Sequence, residues 1–184
     1  PLFAACLKGK RKKWLLISGL MLVTLLIVGF GFGLGSKKEQ EGEAARVGAQ
    51  APNFQLEDLS GEVVELKDVY RKNQLTMVNF WATWCPPCRR EIPEFVRIYR
   101  EYREQGLEIL GVNVWEDSSL KQLQAFVAAA EMEFPILRDV KAETATIYQV
   151  RAVPTTVFID QKGRILEIFV GALTYNQLQT RLDR

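Results

Sequence analysis

The chain has 184 residues, of which 48% are apolar and 25% are charged, and its formal net charge is +2. This size and composition are ordinary for one globular domain with appended segments. Seven of the 24 basic residues precede Glu39, and no acidic residue does, so the rest of the chain is mildly acidic. An acidic domain lacks the basic surface of a nucleic-acid-binding protein, so no nucleic-acid partner is predicted. The absence of histidine excludes Ser-His and Cys-His catalysis and histidine metal sites.

The first predicted element is a membrane anchor at 14–35, a run of 22 residues without a charge. A helix of this length spans roughly 33 Å, which is enough to cross the hydrocarbon core of a bilayer. Five basic residues in the segment 1–13 precede the run and only two follow it directly. The positive-inside rule then predicts a single-pass membrane protein with a cytoplasmic N-terminus and an extracytoplasmic remainder. The alternative is a cleaved signal peptide, although no Ala-x-Ala site follows the run.

The segment 36–50 is rich in Glu, Lys, Gly and Ala without periodicity, so a flexible tether is predicted there. The remainder, 51–184, is the predicted globular domain. It begins with a predicted β-hairpin, because two alternating segments at 54–57 and 63–66 are separated by turn-forming residues. Ten further elements are predicted in chain order: a helical turn at 68–72, a buried strand at 75–82, a helix from Pro86 to Gly106, a strand at 107–114, a helix at 118–130, a short strand at 134–137, a short helix at 143–148, two hairpin strands at 155–160 and 164–170, and a helix at 175–182. This order predicts an α/β fold with a mixed sheet and helices on both faces.

Two cysteines, Cys85 and Cys88, lie at the junction between the buried strand and the long helix. Their spacing predicts a redox pair that can close as a disulfide. Cys85 begins the helix, where unpaired N–H groups and the helix dipole favour a thiolate, so it is the predicted nucleophile. Cys88 lies one turn further and is predicted to resolve the mixed disulfide. Pro86 and Pro87 are tolerated in a first helical turn and stiffen the loop.

Four segments of the domain resemble the thioredoxin superfamily, and more narrowly its membrane-anchored extracytoplasmic branch, which includes ResA, TlpA and CcmG-type proteins. They are Ala51-Pro52-x-Phe54-x-Leu56-x-Asp58-Leu59-x-Gly61, the run from Val78 to Cys88, Glu91-Ile92-Pro93, and Val153-Pro154-Thr155-Thr156. The segment 118–137 matches the central αβ insertion of this branch. The resemblance implies a thioredoxin fold with an N-terminal β-hairpin and that insertion. It also implies thiol–disulfide exchange through Cys85 and Cys88, with no metal and no other cofactor.

The resemblance also implies roles for residues outside the cysteine pair. Glu91 is expected to tune the ionisation of the cysteines, because Asn79 stands where simple thioredoxins carry a buried Asp; a solvated helix glutamate is the alternative. Pro154 is expected to form a cis peptide bond beside the cysteines, where a substrate strand can pair. Three residues are expected to border the redox loop and the substrate groove: Trp84, Val153 and Thr155. The segment 115–117 is a weaker candidate for the edge of this groove.

The ResA and CcmG members of this branch reduce apocytochrome c during cytochrome c maturation. The resemblance therefore implies a tethered reductase of exported proteins that takes electrons from a membrane thiol donor of CcdA or DsbD type. The absence of a basic residue or histidine between the cysteines also favours a reductant. Three alternatives stay open at this point: a thiol oxidase or isomerase, a non-enzymatic apocytochrome chaperone, and a peroxidase. The chain lacks the Pro-x-x-x-Thr-x-x-Cys pattern of thioredoxin-fold peroxidases.

Overall fold

The computed structural model describes residues 44–183. The anchor predicted at 14–35 lies outside them, as do 1–13 and the first part of the predicted tether. Between residues 44 and 183, every helix is too short or too polar to cross a bilayer. The membrane anchor and the domain boundaries therefore stay predictions of the sequence.

The described part contains every helix and strand that the sequence predicts for the globular domain. In chain order these are β1 (Gln55–Glu57), β2 (Val63–Glu65), α1 (Leu66–Lys72), β3 (Leu75–Trp81), α2 (Pro86–Tyr102), a 3₁₀ turn (Arg103–Gln105), β4 (Leu107–Val114), α3 (Leu120–Ala129), β5 (Ile136–Asp139), α4 (Glu143–Ile147), β6 (Thr155–Asp160), β7 (Ile165–Val170) and α5 (Tyr175–Leu182).

The strand β5 begins two residues later than the predicted 134–137. Pro135 has no N–H group to give to a strand ladder, although its carbonyl oxygen accepts a hydrogen bond from Gly111 at 2.9 Å. Phe134 is buried and packs its ring edge-on against Tyr99, with 5.7 Å between the ring centroids. The apolar signal at Phe134 therefore reflects core packing by a loop residue rather than a strand.

The main sheet has five strands in the order β5-β4-β3-β6-β7. The strands β3, β4 and β5 run parallel to one another, whereas β6 and β7 are antiparallel to their neighbours. The hairpin β1-β2 forms a separate small antiparallel sheet. The sheet is therefore mixed, as predicted, and the topology is that of a thioredoxin-like α/β fold.

The central strand β3 is buried on both faces, and its alternating side chains divide the core in two. Met77 and Trp81 belong to a cluster that includes residues of α2, α3 and α5. Val78 and Phe80 point the other way, into a cluster with residues of α1 and α4. Helices therefore cover both faces of the sheet. The helix α2 follows β3 directly in the chain and packs against the sheet.

The helix α2 ends at Tyr102, before the predicted end at Gly106, because the last residues of the predicted helix form a 3₁₀ turn. After α2, one 3₁₀ turn leads to Gly106, which adopts the left-handed conformation with φ of 92°. A side chain at this position would also meet Gln74, since an added Cβ would lie 2.9 Å from the Cγ atom of that residue. Gly106 thus returns the chain from α2 to the beginning of β4.

Candidate active site

The cysteine pair forms a disulfide at the first turn of α2, with 5.3 Å between the two Cα atoms. Cys85 is the N-cap residue of the helix, and its Sγ accepts a hydrogen bond from the backbone N–H of Cys88 at 3.2 Å. Pro86 and Pro87 occupy the first two helical positions, where no intrahelical N–H bond is lost. This N-terminal geometry stabilises negative charge on Cys85, as expected for an attacking thiolate.

The peptide bond between Val153 and Pro154 is cis, as the resemblance implied. The carbonyl oxygen of Val153 lies 3.5 Å from the Sγ of Cys85, so the cis-proline turn borders the redox loop directly. Thr155 is buried, and its hydroxyl donates to the carbonyl oxygen of Ala152 at 2.7 Å. Of the three residues around this bond, Val153 faces the disulfide, whereas the side chain of Thr155 supports the turn.

Glu91 is a buried carboxylic acid, not the solvated helix glutamate that the sequence left as an alternative; only 2% of it is exposed. Its Oε1 accepts a hydrogen bond from the amide of Asn79 at 2.9 Å, and its Oε2 accepts one from the backbone N–H of Leu173 at 3.0 Å. Burial raises the pKa of Glu91 to about 7, because the two hydrogen bonds only partly offset the desolvation of the carboxylate. Glu91 lies three residues after the buried Cys88 on the same face of α2.

Two tryptophans close to the cysteine pair have different environments. Trp81 is fully buried and stacks on Phe126, with 5.7 Å between the ring centroids. Trp84 is 53% exposed, and its indole Nε1–H donates to the carbonyl oxygen of Trp115 at 2.7 Å. The disulfide is therefore surrounded by apolar residues: the exposed Trp84 and Pro86 and the half-buried Val153.

Glu116 joins the loop before Cys85 to the loop after β4. Its carboxylate accepts hydrogen bonds from the backbone N–H and the hydroxyl of Thr83, both at 2.9 Å. It also accepts from the amide of Asn113 at 3.2 Å and from the N–H of Ser118 at 3.1 Å. Partial burial raises the pKa of Glu116, but the four hydrogen bonds outweigh this effect and lower the pKa to about 2. The sequence analysis named Glu116 only as part of a possible groove edge. The fact that the parallel strands β3 and β4 end at the same edge of the sheet could have predicted its contact with the loop before Cys85.

Replacing Glu116 with glutamine is expected to reduce the free energy of unfolding at pH 7 by about 1–3 kcal/mol. All four groups around the carboxylate are hydrogen-bond donors. In the glutamine variant the NH₂ group, which is itself a donor, replaces one of the oxygen acceptors, so at least one of these donors loses its partner. The native pKa of Glu116 lies below its ordinary value of 4.5, so its stabilisation is present above about pH 4.5 and is lost as the pH falls towards 2. Urea unfolding of both proteins between pH 3 and pH 7 measures the difference in the free energy of unfolding.

The exposed neighbour gives the matched control for that experiment. Asp117→Asn removes a charge one position away from Glu116, and within the described residues Asp117 makes no hydrogen bond to the redox loop, so a change below about 0.5 kcal/mol is expected. A deficit of Glu116→Gln that stayed constant between pH 7 and pH 3 would show that the carboxylate charge is not what holds the two loops.

The chemistry of this site is that of two sulfur atoms, one buried acid and backbone groups. Among residues 44–183, no group of three or more Cys, Asp or Glu side chains is arranged to hold a metal ion. The disulfide can accept two electrons and two protons to become a dithiol. Glu91 is the titratable group placed in the interior beside Cys88, with a pKa suited to proton transfer near neutral pH.

Known proteins share this arrangement of sequence over most of the chain. Residues 47–168 match the AhpC/TSA family. The thiol-disulfide oxidoreductase ResA of Halalkalibacterium halodurans is 37% identical over 175 residues, which are 95% of this chain and 96% of that protein. The thioredoxin-like protein YneN of Bacillus subtilis is 38% identical over 174 residues, which are 94% of this chain and 98% of YneN.

Solved structures share the fold. StoA from Bacillus subtilis superimposes with a TM-score of 0.60 at 29% identity, covering 71% of this chain and 96% of StoA. A Chlorobium tepidum chain assigned as thiol:disulfide interchange protein DsbE superimposes with a TM-score of 0.66, also at 29% identity, covering 76% of this chain and 95% of that one. With its cysteine pair at the head of α2, the chain therefore belongs to the AhpC/TSA family of thioredoxin-like proteins, as a thiol–disulfide oxidoreductase of the ResA type.

Proposed function

We propose that this oxidoreductase works as a reductant, tethered to the bacterial cell membrane through 14–35 with its domain on the extracytoplasmic side. Its substrates are disulfides of exported proteins, with apocytochrome c in the course of cytochrome c maturation as the first candidate. A membrane thiol donor of CcdA or DsbD type returns the oxidised pair to the dithiol. The single observation that carries the direction of transfer is the buried Glu91, three residues after Cys88 on the inner face of α2.

The direction depends on how strongly the protein stabilises its thiolates. Oxidants of this fold stabilise the reduced form, which makes their disulfides easy to reduce. Here the helix N-terminus favours a thiolate at Cys85, but no basic side chain stands between the cysteines. The buried carboxylate of Glu91 opposes a second negative charge at Cys88, because like charges repel strongly where water is excluded. A disfavoured Cys88 thiolate makes the disulfide the more stable form, and that lowers the reduction potential.

The same residues account for the two steps of exchange. The thiolate of Cys85 attacks one sulfur of the substrate disulfide, the bond between the substrate sulfurs breaks, and the second substrate sulfur leaves as a thiolate and takes a proton from solvent. Cys88 then gives its proton to Glu91 and attacks the Sγ of Cys85. The mixed disulfide breaks, and the first substrate sulfur leaves as a thiolate. Two electrons have passed to the substrate, and the protein holds the disulfide that the structure contains.

The redox state of the chain in growing cells tests the proposed direction. Acid quenching followed by alkylation with a mass-tagged maleimide is expected to find Cys85 and Cys88 mainly as the dithiol. In cells without the membrane thiol donor, the pair is expected to accumulate as the disulfide. The variant with serine at both positions gives the baseline, because only Cys6 remains to react. A pair that is oxidised in both strains would contradict the reductant.

The same cells test the proposed tether. The chain is expected to stay in the membrane pellet after an alkaline carbonate wash, and its domain to be cut by protease added to spheroplasts. Recovery of the domain in the soluble extracytoplasmic fraction would instead support the cleaved signal peptide, and protection from added protease would contradict the proposed orientation.

A further inference from the structure

Two partly exposed tryptophans, Trp84 and Trp115, lie near the nucleophile and are joined by a hydrogen bond from one indole ring to the other residue's backbone. Trp84 is 53% exposed and Trp115 is 38% exposed. The indole Nε1–H of Trp84 donates to the carbonyl oxygen of Trp115 at 2.7 Å, so the two residues share one surface. Trp84 directly precedes Cys85 in the chain. We call Trp84 and Trp115 the tryptophan pair.

The backbone around the tryptophan pair is fixed before any substrate binds. Trp115 has a φ of 51°, in the left-handed region that large side chains rarely adopt. Glu116 follows it directly, and its carboxylate accepts both the N–H and the hydroxyl of Thr83, the residue before Trp84. The carboxylate of Glu116 therefore holds the backbone next to both tryptophans in place. Because this surface is already ordered, binding a side chain does not carry the entropic cost of ordering the surface.

The covalent chemistry brings part of the substrate to this surface. In the mixed disulfide, a substrate sulfur is bonded to the Sγ of Cys85, so residues next to the substrate cysteine lie over the residues around Cys85. On one side of Cys85 stands the carbonyl of Val153, at 3.5 Å from the sulfur, which offers a backbone acceptor. The tryptophan pair stands beside the redox loop as well. An extended chain advances about 3.3–3.6 Å per residue, so a side chain one or two positions from the substrate cysteine reaches the rings.

We propose that the tryptophan pair is a specificity subsite for an aromatic side chain one or two positions from the target cysteine. Two exposed indole faces favour a flat apolar group, which gains both burial and aromatic stacking. Four donors occupy the carboxylate oxygens of the nearby Glu116, so this group has little capacity left for a hydrogen bond with the substrate. The subsite rests on the exchange chemistry proposed above and deepens it, since it names what distinguishes one disulfide substrate from another.

Two disulfide-bonded peptides that differ only in one residue test the subsite. One carries Phe two positions from its first cysteine, and the other carries Ala there. The reduced full-length protein is expected to reduce the Phe peptide about tenfold faster, measured as second-order rate constants. The readout is the Phe:Ala ratio within each variant, so a general loss of activity cancels. A ratio near 1 for the unaltered protein would overturn the subsite, and so would a third peptide with Lys that reacted faster than the Phe peptide.

Substitutions at Trp115 assign the preference to the tryptophan pair. Trp115→Gly suits the left-handed backbone and removes one ring, so the Phe:Ala ratio is expected to fall to about 1–2. Trp115→Phe keeps a ring and is expected to retain a ratio of about 3–5. Leu166→Ala, which removes an exposed apolar side chain from β7, is the control and is expected to keep the full ratio. A ratio that stayed near ten in Trp115→Gly would overturn the assignment.

The design separates failure of the subsite from failure of the proposed function. If the protein reduces both peptides equally fast, the reductase stands and the subsite falls. If it reduces neither peptide but oxidises their dithiol forms, the proposed direction is wrong, and the Phe:Ala ratio of the oxidation rates then decides the subsite. If it neither reduces nor oxidises them, the subsite falls together with the exchange chemistry on which it depends.

Discussion

Replacement of Cys85 with alanine is expected to lower the rate of disulfide reduction by about a thousandfold or more, to the background rate of the solution thiols. Cys85 is the N-cap of α2, where the N–H of Cys88 already points at its sulfur, whereas Cys88 is fully buried and cannot readily reach a substrate disulfide. Reduction of a small fluorescent disulfide by the purified protein, with a chemical thiol as the electron source, measures this effect. Cys6→Ala is the matched control and is expected to keep full activity.

The converse substitution separates the roles of the two cysteines. In Cys88→Ala the attacking thiolate remains but the resolving thiol is gone, so a mixed disulfide with substrate is expected to accumulate. Non-reducing electrophoresis followed by mass spectrometry would show the adduct on Cys85. The same experiment with Cys85→Ala is expected to trap little. Stable adducts on Cys88 in that variant would reverse the assignment of nucleophile and resolving thiol.

Replacement of Glu91 with glutamine is expected to slow the resolving step by roughly 10–100-fold near pH 7. The carboxylate is the proposed acceptor for the proton of Cys88, and its raised pKa of about 7 lets it take that proton near neutral pH. Glutamine keeps an oxygen for Asn79 but cannot accept a proton. Stopped-flow measurement of mixed-disulfide decay between pH 5 and pH 9 is expected to lose its inflection near pH 7. An unchanged profile would remove Glu91 from the proton transfer.

Glu91 also makes the stability of the oxidised protein depend on pH, with the opposite sign to Glu116. Its native pKa of about 7 lies above its ordinary value of 4.5, so its contribution is fully present below about pH 4.5 and is lost as the pH rises through 7. A difference of this size corresponds to roughly 3 kcal/mol of unfolding free energy. Denaturant unfolding of Glu91→Gln is expected to lose this slope, although glutamine presents its NH₂ to the N–H of Leu173 and costs stability at every pH.

A second glutamate on the same helix provides the comparison. Glu94 lies three residues further along α2 and is only partly buried, so Glu94→Gln is expected to keep the fall in stability between pH 4.5 and pH 8. If Glu91→Gln and the unaltered protein lost stability in parallel over this range, the slope would have to come from another group.

Local patterns in the sequence were sufficient to predict the order of elements. The apolar run of β3, the periodic face of α2 and the glycine at 106 act within a few residues, and all three lie in the structure where they were predicted. Phe134 misled the prediction of β5, because an apolar loop residue and an apolar strand residue have the same pattern. The position of the cysteine pair followed from the junction between strand and helix.

Long-range contacts decided what the sequence left open in the site. Glu91 stands among charged neighbours on a helix, and nothing local shows that it is buried. Its environment comes from Asn79 on β3 and from the backbone of Leu173, 82 residues later in the chain. The role of Glu116 likewise depends on Thr83, 33 residues earlier. Such contacts become visible only once the sheet has placed these segments side by side.

The midpoint potential of the Cys85–Cys88 pair tests the central claim most directly. The purified protein is equilibrated with mixtures of reduced and oxidised glutathione or dithiothreitol, quenched and alkylated, and the dithiol fraction is measured at pH 7. A reductant requires a value more negative than about −230 mV, and Glu91→Gln is expected to shift it to a less negative value. A value near −120 mV, as in the strong oxidants of this fold, would make the protein a disulfide donor and would contradict the account.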